Sequence, residues 1–468
     1  MKSIWSKFGL LIVVALAARL LSLPLYPLMD TTEARYGNMA RIMAETGNWL
    51  TPMFDYGIPF WGKPPLHTWA SAVGIELFGL SEFAVRVPHF IAGLLVLGLV
   101  MLLARQLKLN PLMTGLVLAT TLVFSLAAGA VMTDMLLTLG MTLAMVGFYI
   151  GWQQQPHSRS WSYAAFVGLA IGLLAKGPVV IVLFGLAIVP WLLWQVGPIN
   201  GFKQLWLRHP IVSGLSLMLV IVAPWYIMAE LATPGFLEYF LLGEHFFRFV
   251  DAGWAGDLYG KAHDQPRGMI WLFFAGAAMP WTPVLLWFGI RALKQGQRRF
   301  SQAQAFLLCW MLAPLVLFTF AGNILPAYVL PGIPALALLV TAGVQEQDLR
   351  WLGKLSMVTP LLLLIAIIVV AASVGKDRSD KLLLANVEVQ TPVYYIDKST
   401  FSGRFYSDGR ALKIERDELV QQATNAMPYA VVVNAKRGVP QPLQRYCEFV
   451  DENDKRALYH CDNKAPQQ

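Results

Sequence analysis

The chain has 468 residues, 56% of them hydrophobic and only 14% charged, with a formal net charge of +8. That balance excludes an ordinary soluble domain. It does not indicate a nucleic-acid partner, because the Lys and Arg residues fall in short loops between apolar runs and form no single basic face.

Apolar runs long enough to cross a bilayer recur from the N-terminus to residue 374. The first, Phe8 to Leu25, follows Lys2 and Lys7 and has the outline of a signal peptide. No small-residue cleavage site follows it and further runs come after, so it reads as a retained first helix. Hydropathy places spans at 8–27, 84–104, 111–128, 132–151, 161–175, 178–195, 211–229, 268–289, 303–320, 327–343 and 352–374, about eleven crossings. Leu66–Phe78 follows Pro64-Pro65, holds His67 and Glu76, and reads as a helix lying in the membrane interface.

With that stretch left out of the count, the positive-inside rule puts five basic loops on one side. They hold Arg105 and Lys108, Arg159, Lys203 and Arg208, Arg291 with Lys294, Arg298 and Arg299, and Arg350 with Lys354. The N-terminus is then cytoplasmic. The other side collects loops 28–83 and 230–267 and the polar region from Lys376 onward.

In that last region Thr391–Ile396 and Tyr429–Val433 read as strands and Asp417–Asn425 as a short helix. Glu448–Tyr459 reads as a hairpin turning at Asp451–Asp454. The expected fold is a polytopic α-helical membrane domain over 1–375 and a small α/β domain over 376–468, outside the membrane. Cys309 lies in an apolar run. Cys447 and Cys461 suit a hairpin-closing disulfide if the tail is extracytoplasmic, two unpaired thiols being the alternative.

Several ionisable residues fall on the outer side. Asp30 and Glu33 follow the first span, and their three-residue spacing puts both carboxylates on one helix face, near Arg35 and Tyr36. The same pair is also a capping pattern at a helix start. Lys63 stands beside Phe60 and Trp61, as a snorkelling anchor or as a phosphate ligand. Asp134 tops a span amid apolar residues, where a carboxylate marks function or an interhelical partner. Lys176 begins the tight Lys-Gly-Pro turn. Glu244, His245 and Arg248 come from the second long loop, with His245 and Arg248 at helical spacing. No second His stands at metal spacing there, so zinc ligation by His245 is a weak signal. Acids beside cations on one outer face suit transfer of a phosphate-linked sugar: the acid acts on the acceptor, and the cations neutralise the departing phosphate.

The motifs DTTEARY, GKPP with an aromatic-rich helix, TDM, LAKGP, GEHFFRF and LPAYVLPGIPALALL, in that order, carry a resemblance. The chain resembles the bacterial branch of the C-type (GT-C) membrane glycosyltransferases, which includes the lipid A aminoarabinose transferases and has the protein O-mannosyltransferases as relatives. The resemblance covers residues 8–345. It implies an undecaprenyl-phosphate-sugar donor, an inverting transfer at the periplasmic face of the inner membrane, and a lipid A, other envelope glycan or protein acceptor. By motif position it implies that Asp30 is the essential acid, Asp134 the second acid, and Lys63 and Lys176 phosphate-side lysines. Glu33 joins the acids, and Arg35 and Arg248 the phosphate ligands.

Two positions depart from the pattern. Gly62 stands where aminoarabinose transferases carry Glu, which with the loop His is implicated in metal binding. Ile324 stands where they carry Lys. The chain is also short for that family. A divalent metal therefore has one ligand fewer here, and the sequence names no cofactor. The rival readings are a lipid-linked sugar transporter, against which the absence of paired repeats speaks, and an envelope scaffold.

Overall fold

The computed structural model describes residues 2–461 apart from 154–158, 252, 261–262, 298, 371–374, 389, 397, 416–417, 419–427 and 436–446. Among them seven helices are long and apolar enough to cross a membrane, namely Glu82–Gln106, Thr133–Gln153, Val179–Val196, Ile211–Ala232, Gln302–Thr319, Pro326–Gly343 and Glu346–Val369. Met269–Ala277 and Trp281–Lys294, bent by 98° at their junction, make an eighth if taken as one span. The other apolar runs form the helices Lys2–Ser22, Pro111–Ala119 with Leu122–Ala127, and Arg159–Lys176.

Three runs differ in shape from the expected straight spans. The first helix stops at Ser22 rather than at 27, because Pro24 and Pro27 cannot donate to a helical ladder. The run 111–128 breaks at Thr120 and Thr121, whose hydroxyls turn back onto the carbonyls of Leu116 (2.6 Å) and Val117 (2.7 Å). The run 268–289 breaks before Trp281. The two breaks face each other: Leu122 N donates to Met279 O at 2.9 Å, and the Trp281 indole donates to Thr120 Oγ1 at 3.2 Å. Backbone groups freed within an apolar layer are satisfied by a neighbouring break.

Glycines set the approach of Thr133–Gln153 to Arg159–Lys176. A Cβ on Gly140 would lie 2.6 Å from Gly172 N, and one on Gly168 would lie 2.4 Å from Ala144 N. Small residues let helix backbones meet this closely. Leu66–Phe78 is a separate helix of 13 residues, too short to cross a bilayer unaided.

The first loop contains the helix Thr32–Thr46 and a small hairpin, β1 (Met53–Asp55) and β2 (Ile58–Pro59). The C-terminal region forms a mixed sheet of β3 (Val393–Ile396), β4 (Ala411–Ile414), β5 (Tyr429–Asn434), β6 (Cys447–Glu452) and β7 (Arg456–Cys461), in the order β4-β3-β5-β7-β6. β3 pairs in parallel with β4 and β5, while β7 is antiparallel to β5 and β6. The two expected strands and the hairpin are present, and Cys447 and Cys461 form the disulfide. Strand β4 and the helix Phe401–Tyr406 were not legible in the sequence. The expected helix Asp417–Asn425 lies, apart from Glu418, outside the described residues.

This sheet region is fastened to the first loop. Lys381 pairs with Glu82 and Arg404 with Asp55, each at 2.5 Å. The Tyr406 hydroxyl donates to Glu82 (2.9 Å) and accepts from Leu28 N (2.6 Å). Phe405 is buried with Leu28, Ala34, Tyr36 and Phe60.

Candidate active site

Asp134 opens one of the two glycine-packed helices and Lys176 closes the other, so their close approach brings the two ends together. Lys176 Nζ donates to Asp134 Oδ1 at 2.7 Å, both side chains nearly buried, and lies 4.1 Å from the centre of the Tyr328 ring. A cation over an aromatic face is attracted by the ring quadrupole. Tyr328 escaped the sequence reading.

The second long loop covers this pair. Tyr239–Phe247 is π-helical, and the extra residue per turn changes which side chains share a face. His245 and Arg248 therefore do not act on a common target. His245 Nδ1 lies 2.8 Å from Phe240 O and Nε2 lies 3.2 Å from Lys176 O. Burial lowers the pKa of this imidazole. Gly177 makes the close fit possible: its φ is +85°, and a Cβ there would sit 2.4 Å from the Phe240 ring.

Arg248 instead forks onto Glu244 (2.8 and 3.0 Å) and reaches Asp257 (3.1 Å). Lys63 donates to Glu244 Oε2, one of the two oxygens that Arg248 contacts, at 2.7 Å. Burial pushes the Glu244 carboxyl up, but Lys63 and Arg248 together outweigh it and hold the group below its ordinary range. Arg35 donates to Tyr259 O at 3.0 Å and stacks over Tyr36 and Phe60. Arg35 Nε and Arg248 Nε are buried with no hydrogen-bond partner. Buried unsatisfied donors are rare, and a phosphate oxygen would satisfy them.

Asp30 and Glu33 do not share a face. The helix starts at Thr32, with Thr31 as its cap residue and no side-chain capping bond, so the expected capping pattern is absent. Glu33 is gripped by Arg86 at 3.2 and 2.8 Å and accepts from Val131 N at 3.1 Å. Arg86 also donates to the carbonyls of Leu23, Tyr26 and Pro27. A charged residue inside an apolar span was the signal that could have found Arg86.

Asp30 turns the other way, toward the C-terminal region. It accepts from Ser402 N (3.1 Å) and Ser402 Oγ (2.5 Å). Burial raises its pKa. Ser402 Oγ in turn accepts from Asp380 N at 3.1 Å. Asp380 is fully buried and is held by Arg456, Tyr395 and Thr400. No local pattern announces Ser402.

The structure thus joins Asp134 with Lys176, links His245 to Lys176 through a backbone carbonyl, and joins Lys63 with Arg248 through Glu244. Glu33 and Asp30 are committed elsewhere. An aromatic chain spans the gap: Phe401 contacts Phe54, which contacts Tyr259, which contacts Phe60.

Residues 8–240 match the family described as dolichyl-phosphate-mannose-protein mannosyltransferase. The chain is 30% identical over 368 residues to the undecaprenyl phosphate-alpha-4-amino-4-deoxy-L-arabinose arabinosyl transferase of Erwinia tasmaniensis, covering 76% of this chain and 64% of that protein. It is 31% identical over 389 residues to the protein of the same description from Edwardsiella ictaluri, covering 79% and 64%. The matches thus span 64% of the length of these relatives. ArnT from Cupriavidus metallidurans bound to undecaprenyl phosphate superposes with a TM-score of 0.80 over 98% of both chains, at 21% identity. The chain shares the fold of that protein. The resemblance to the aminoarabinose transferases read from the motifs is upheld.

A resident metal does not fit the side chains that this C-type fold presents here. Gly62 offers no carboxylate, and its carbonyl accepts from Lys63 Nζ at 2.5 Å. A Cβ at Gly62 would come within 2.8 Å of the Phe60 ring. Both His245 nitrogens lie at backbone carbonyls, and no group of three metal-ligating side chains occurs among the described residues. We expect dialysis against EDTA to change the rate of sugar transfer by less than about twofold, because Lys63 already supplies a cation to Glu244. A large loss restored by zinc or magnesium would show the opposite.

Proposed function

We propose that the chain is a polyprenyl-phosphate-sugar-dependent glycosyltransferase of the bacterial inner membrane. It moves a sugar from an undecaprenyl-phosphate-linked donor to lipid A, another envelope glycan or a protein at the periplasmic face. The observation that carries this reading is the set of cations formed by buried Lys176 and half-buried Lys63, Arg35 and Arg248, two of them with a buried, unpartnered guanidinium nitrogen. The superposition on a protein that binds undecaprenyl phosphate supports it.

In this mechanism the acceptor oxygen attacks the anomeric carbon and a new C–O bond forms there with inversion. The bond from that carbon to the phosphate oxygen breaks, and its electron pair leaves with undecaprenyl phosphate. The phosphate gains a negative charge as it departs, and fixed cations in a site poor in water stabilise that change. A hydroxyl acceptor gives its proton to the Asp30 carboxylate; an acceptor that is already an ionised phosphate needs only orientation.

The finer topology belongs to the same proposal: about eleven crossings, a cytoplasmic N-terminus, a membrane domain over 1–375 and a periplasmic domain over 376–468. The disulfide Cys447–Cys461 supports the last point, since such bonds persist in oxidising compartments.

Purified protein, labelled undecaprenyl-phosphate sugars and envelope extract test the reaction. Label is expected on an acceptor. Label that stays on the carrier but changes leaflet in proteoliposomes would make the protein a transporter instead. The pH profile carries a further expectation. The base must be ionised, and burial raises the Asp30 pKa above 3.8. With a hydroxyl acceptor, kcat/KM should fall as the pH drops through that raised value, so the acid limb lies above the position of an ordinary aspartate. A profile flat down to pH 4, by stopped assays, would remove Asp30 as the base.

A further inference from the structure

The helix Trp281–Lys294 and the span Glu346–Val369 are tied together by an ion pair. Arg291, on the last turn of the first, donates through Nη1 to Asp348 Oδ1 (3.1 Å) and Oδ2 (2.8 Å), and through Nη2 to Gly343 O. Asp348 is buried and also accepts from Gln345 N at 2.9 Å and from the Trp351 indole at 3.3 Å. Beside this pair lies a cavity of about 580 Å³, lined by Trp287, Arg291, Gln347, Asp348 and Trp351. Its volume is that of a small-ligand site. Both wall segments, 281–297 and 343–370, lie wholly within the described residues.

Each wall carries a tryptophan and a lysine. Trp287, Arg291 and Lys294 stand at i, i+4 and i+7 of one helix and so share a face. Along the other span Trp351, Lys354, Val358, Leu362 and Ile365 recur at spacings of three and four. Trp287 is 57% exposed and Trp351 39%, and Val358, Leu362 and Ile365 are exposed as well. Exposed tryptophans at the ends of apolar helices mark the level where lipid headgroups meet water. Asp348 neutralises Arg291, whose Nε still donates to no group among the described residues. Exposed Lys294 and Lys354, each one helical turn from a lining residue, therefore supply the attraction for an anion. Glu346 and Arg350, which neighbour lining residues along the chain, carry opposite charges.

We propose that this cavity holds the headgroup of an anionic phospholipid from the surrounding bilayer. Its phosphodiester accepts charge-assisted hydrogen bonds from Lys294 and Lys354 and a further one from Arg291 Nε. Its glycerol lies between the two tryptophans, and an acyl chain follows the stripe Val358, Leu362 and Ile365. Basic pockets between membrane helices on the cytoplasmic side bind such headgroups, and in the proposed topology these helix ends face the cytoplasm. A free phosphate would meet the same cations but would leave the tryptophans and the apolar stripe unused. The inference goes beyond the glycosyltransferase reading and takes from it only the placement of the two helices in the membrane. The lipid is neither sugar donor nor acceptor; it bridges the ends of two helices that the Arg291–Asp348 pair already joins.

A binding measurement tests this without turnover. The full chain in neutral detergent is titrated, by native mass spectrometry, with phosphatidylglycerol, with phosphatidylcholine of the same acyl chains, and with glycerol 3-phosphate. The wild type is expected to bind phosphatidylglycerol at least about tenfold more tightly than phosphatidylcholine, as two lysines at a headgroup require. Glycerol 3-phosphate in excess should not displace the lipid, because it lacks the chains that the apolar stripe holds. Lys294→Gln with Lys354→Gln should reduce the preference to less than about twofold. Arg105→Gln with Lys203→Gln removes the same charge from two other basic loops and should leave the preference intact. An undiminished preference in the Lys294 and Lys354 variant would overturn the site. So would an equal loss in the Arg105 and Lys203 variant, which would mean attraction to the basic surface as a whole, and so would displacement by glycerol 3-phosphate. An unchanged thermal midpoint in lipid-free detergent shows that each variant is folded, since all four substituted side chains are exposed. Transfer activity is not read in this experiment, so a failure of the lipid site and a failure of the glycosyltransferase reading stay distinct.

Discussion

Asp30→Asn is expected to lower sugar transfer by at least about a hundredfold, the usual scale for losing a positioned acid–base group, while the protein folds and binds donor as the wild type does. The reason lies in what the carboxylate contacts. Asp30 accepts from Ser402 N and Oγ. The amide retains an oxygen for one of these bonds and keeps the shape of the side chain, so the local structure should survive. What it loses is the ability to take a proton from an attacking hydroxyl, or to orient one by charge. Turnover at the wild-type rate, at matched expression and with an unchanged thermal midpoint, would show that Asp30 only pins the C-terminal region to the first loop. Ser402→Ala separates the two roles. It removes the hydroxyl bond and spares the carboxylate, and it should weaken acceptor KM more than kcat.

Glu33→Ala is expected to act on stability instead. Glu33 faces Arg86, whose side chain is fully buried, through two hydrogen bonds. Removing one partner of a buried ion pair leaves the other charge uncompensated and typically costs about 3–5 kcal/mol. Here the orphan would be a guanidinium whose remaining partners are three backbone carbonyls. The variant should show a clearly lower thermal midpoint and poor yield in detergent. Glu33→Leu with Arg86→Met should recover part of the loss, because replacing both partners by apolar groups avoids the uncompensated charge. A Glu33→Gln protein as stable as the wild type but devoid of transfer would contradict this and return Glu33 to the chemistry.

The two acids illustrate how much of the site was legible. Their nearness to the end of the first apolar helix followed from hydropathy. Their shared helix face was inferred from spacing and is not what forms, because the helix begins at Thr32, two residues beyond Asp30. Asp134 and Lys176 pair with each other: each sits at the end of an apolar helix, and Gly140, Gly168 and Gly172 let those helices meet. His245 was identified as a loop residue near the site, but the π turn that aims it at Lys176 O rather than alongside Arg248 has no signature in helical spacing.

The amino-acid sequence by itself determined the long apolar helices, the strands and disulfide of the C-terminal hairpin, and the acids and cations available for chemistry. These follow from hydropathy, period and loop charge, which are properties of neighbours along the chain. Only the tertiary structure decided the partners: Glu33 with Arg86, Lys63 with Arg248 through Glu244, and Asp30 with Ser402, 372 positions away. A buried charge takes the partner that packing brings within hydrogen-bond reach, and distance along the chain carries no information about which one that is.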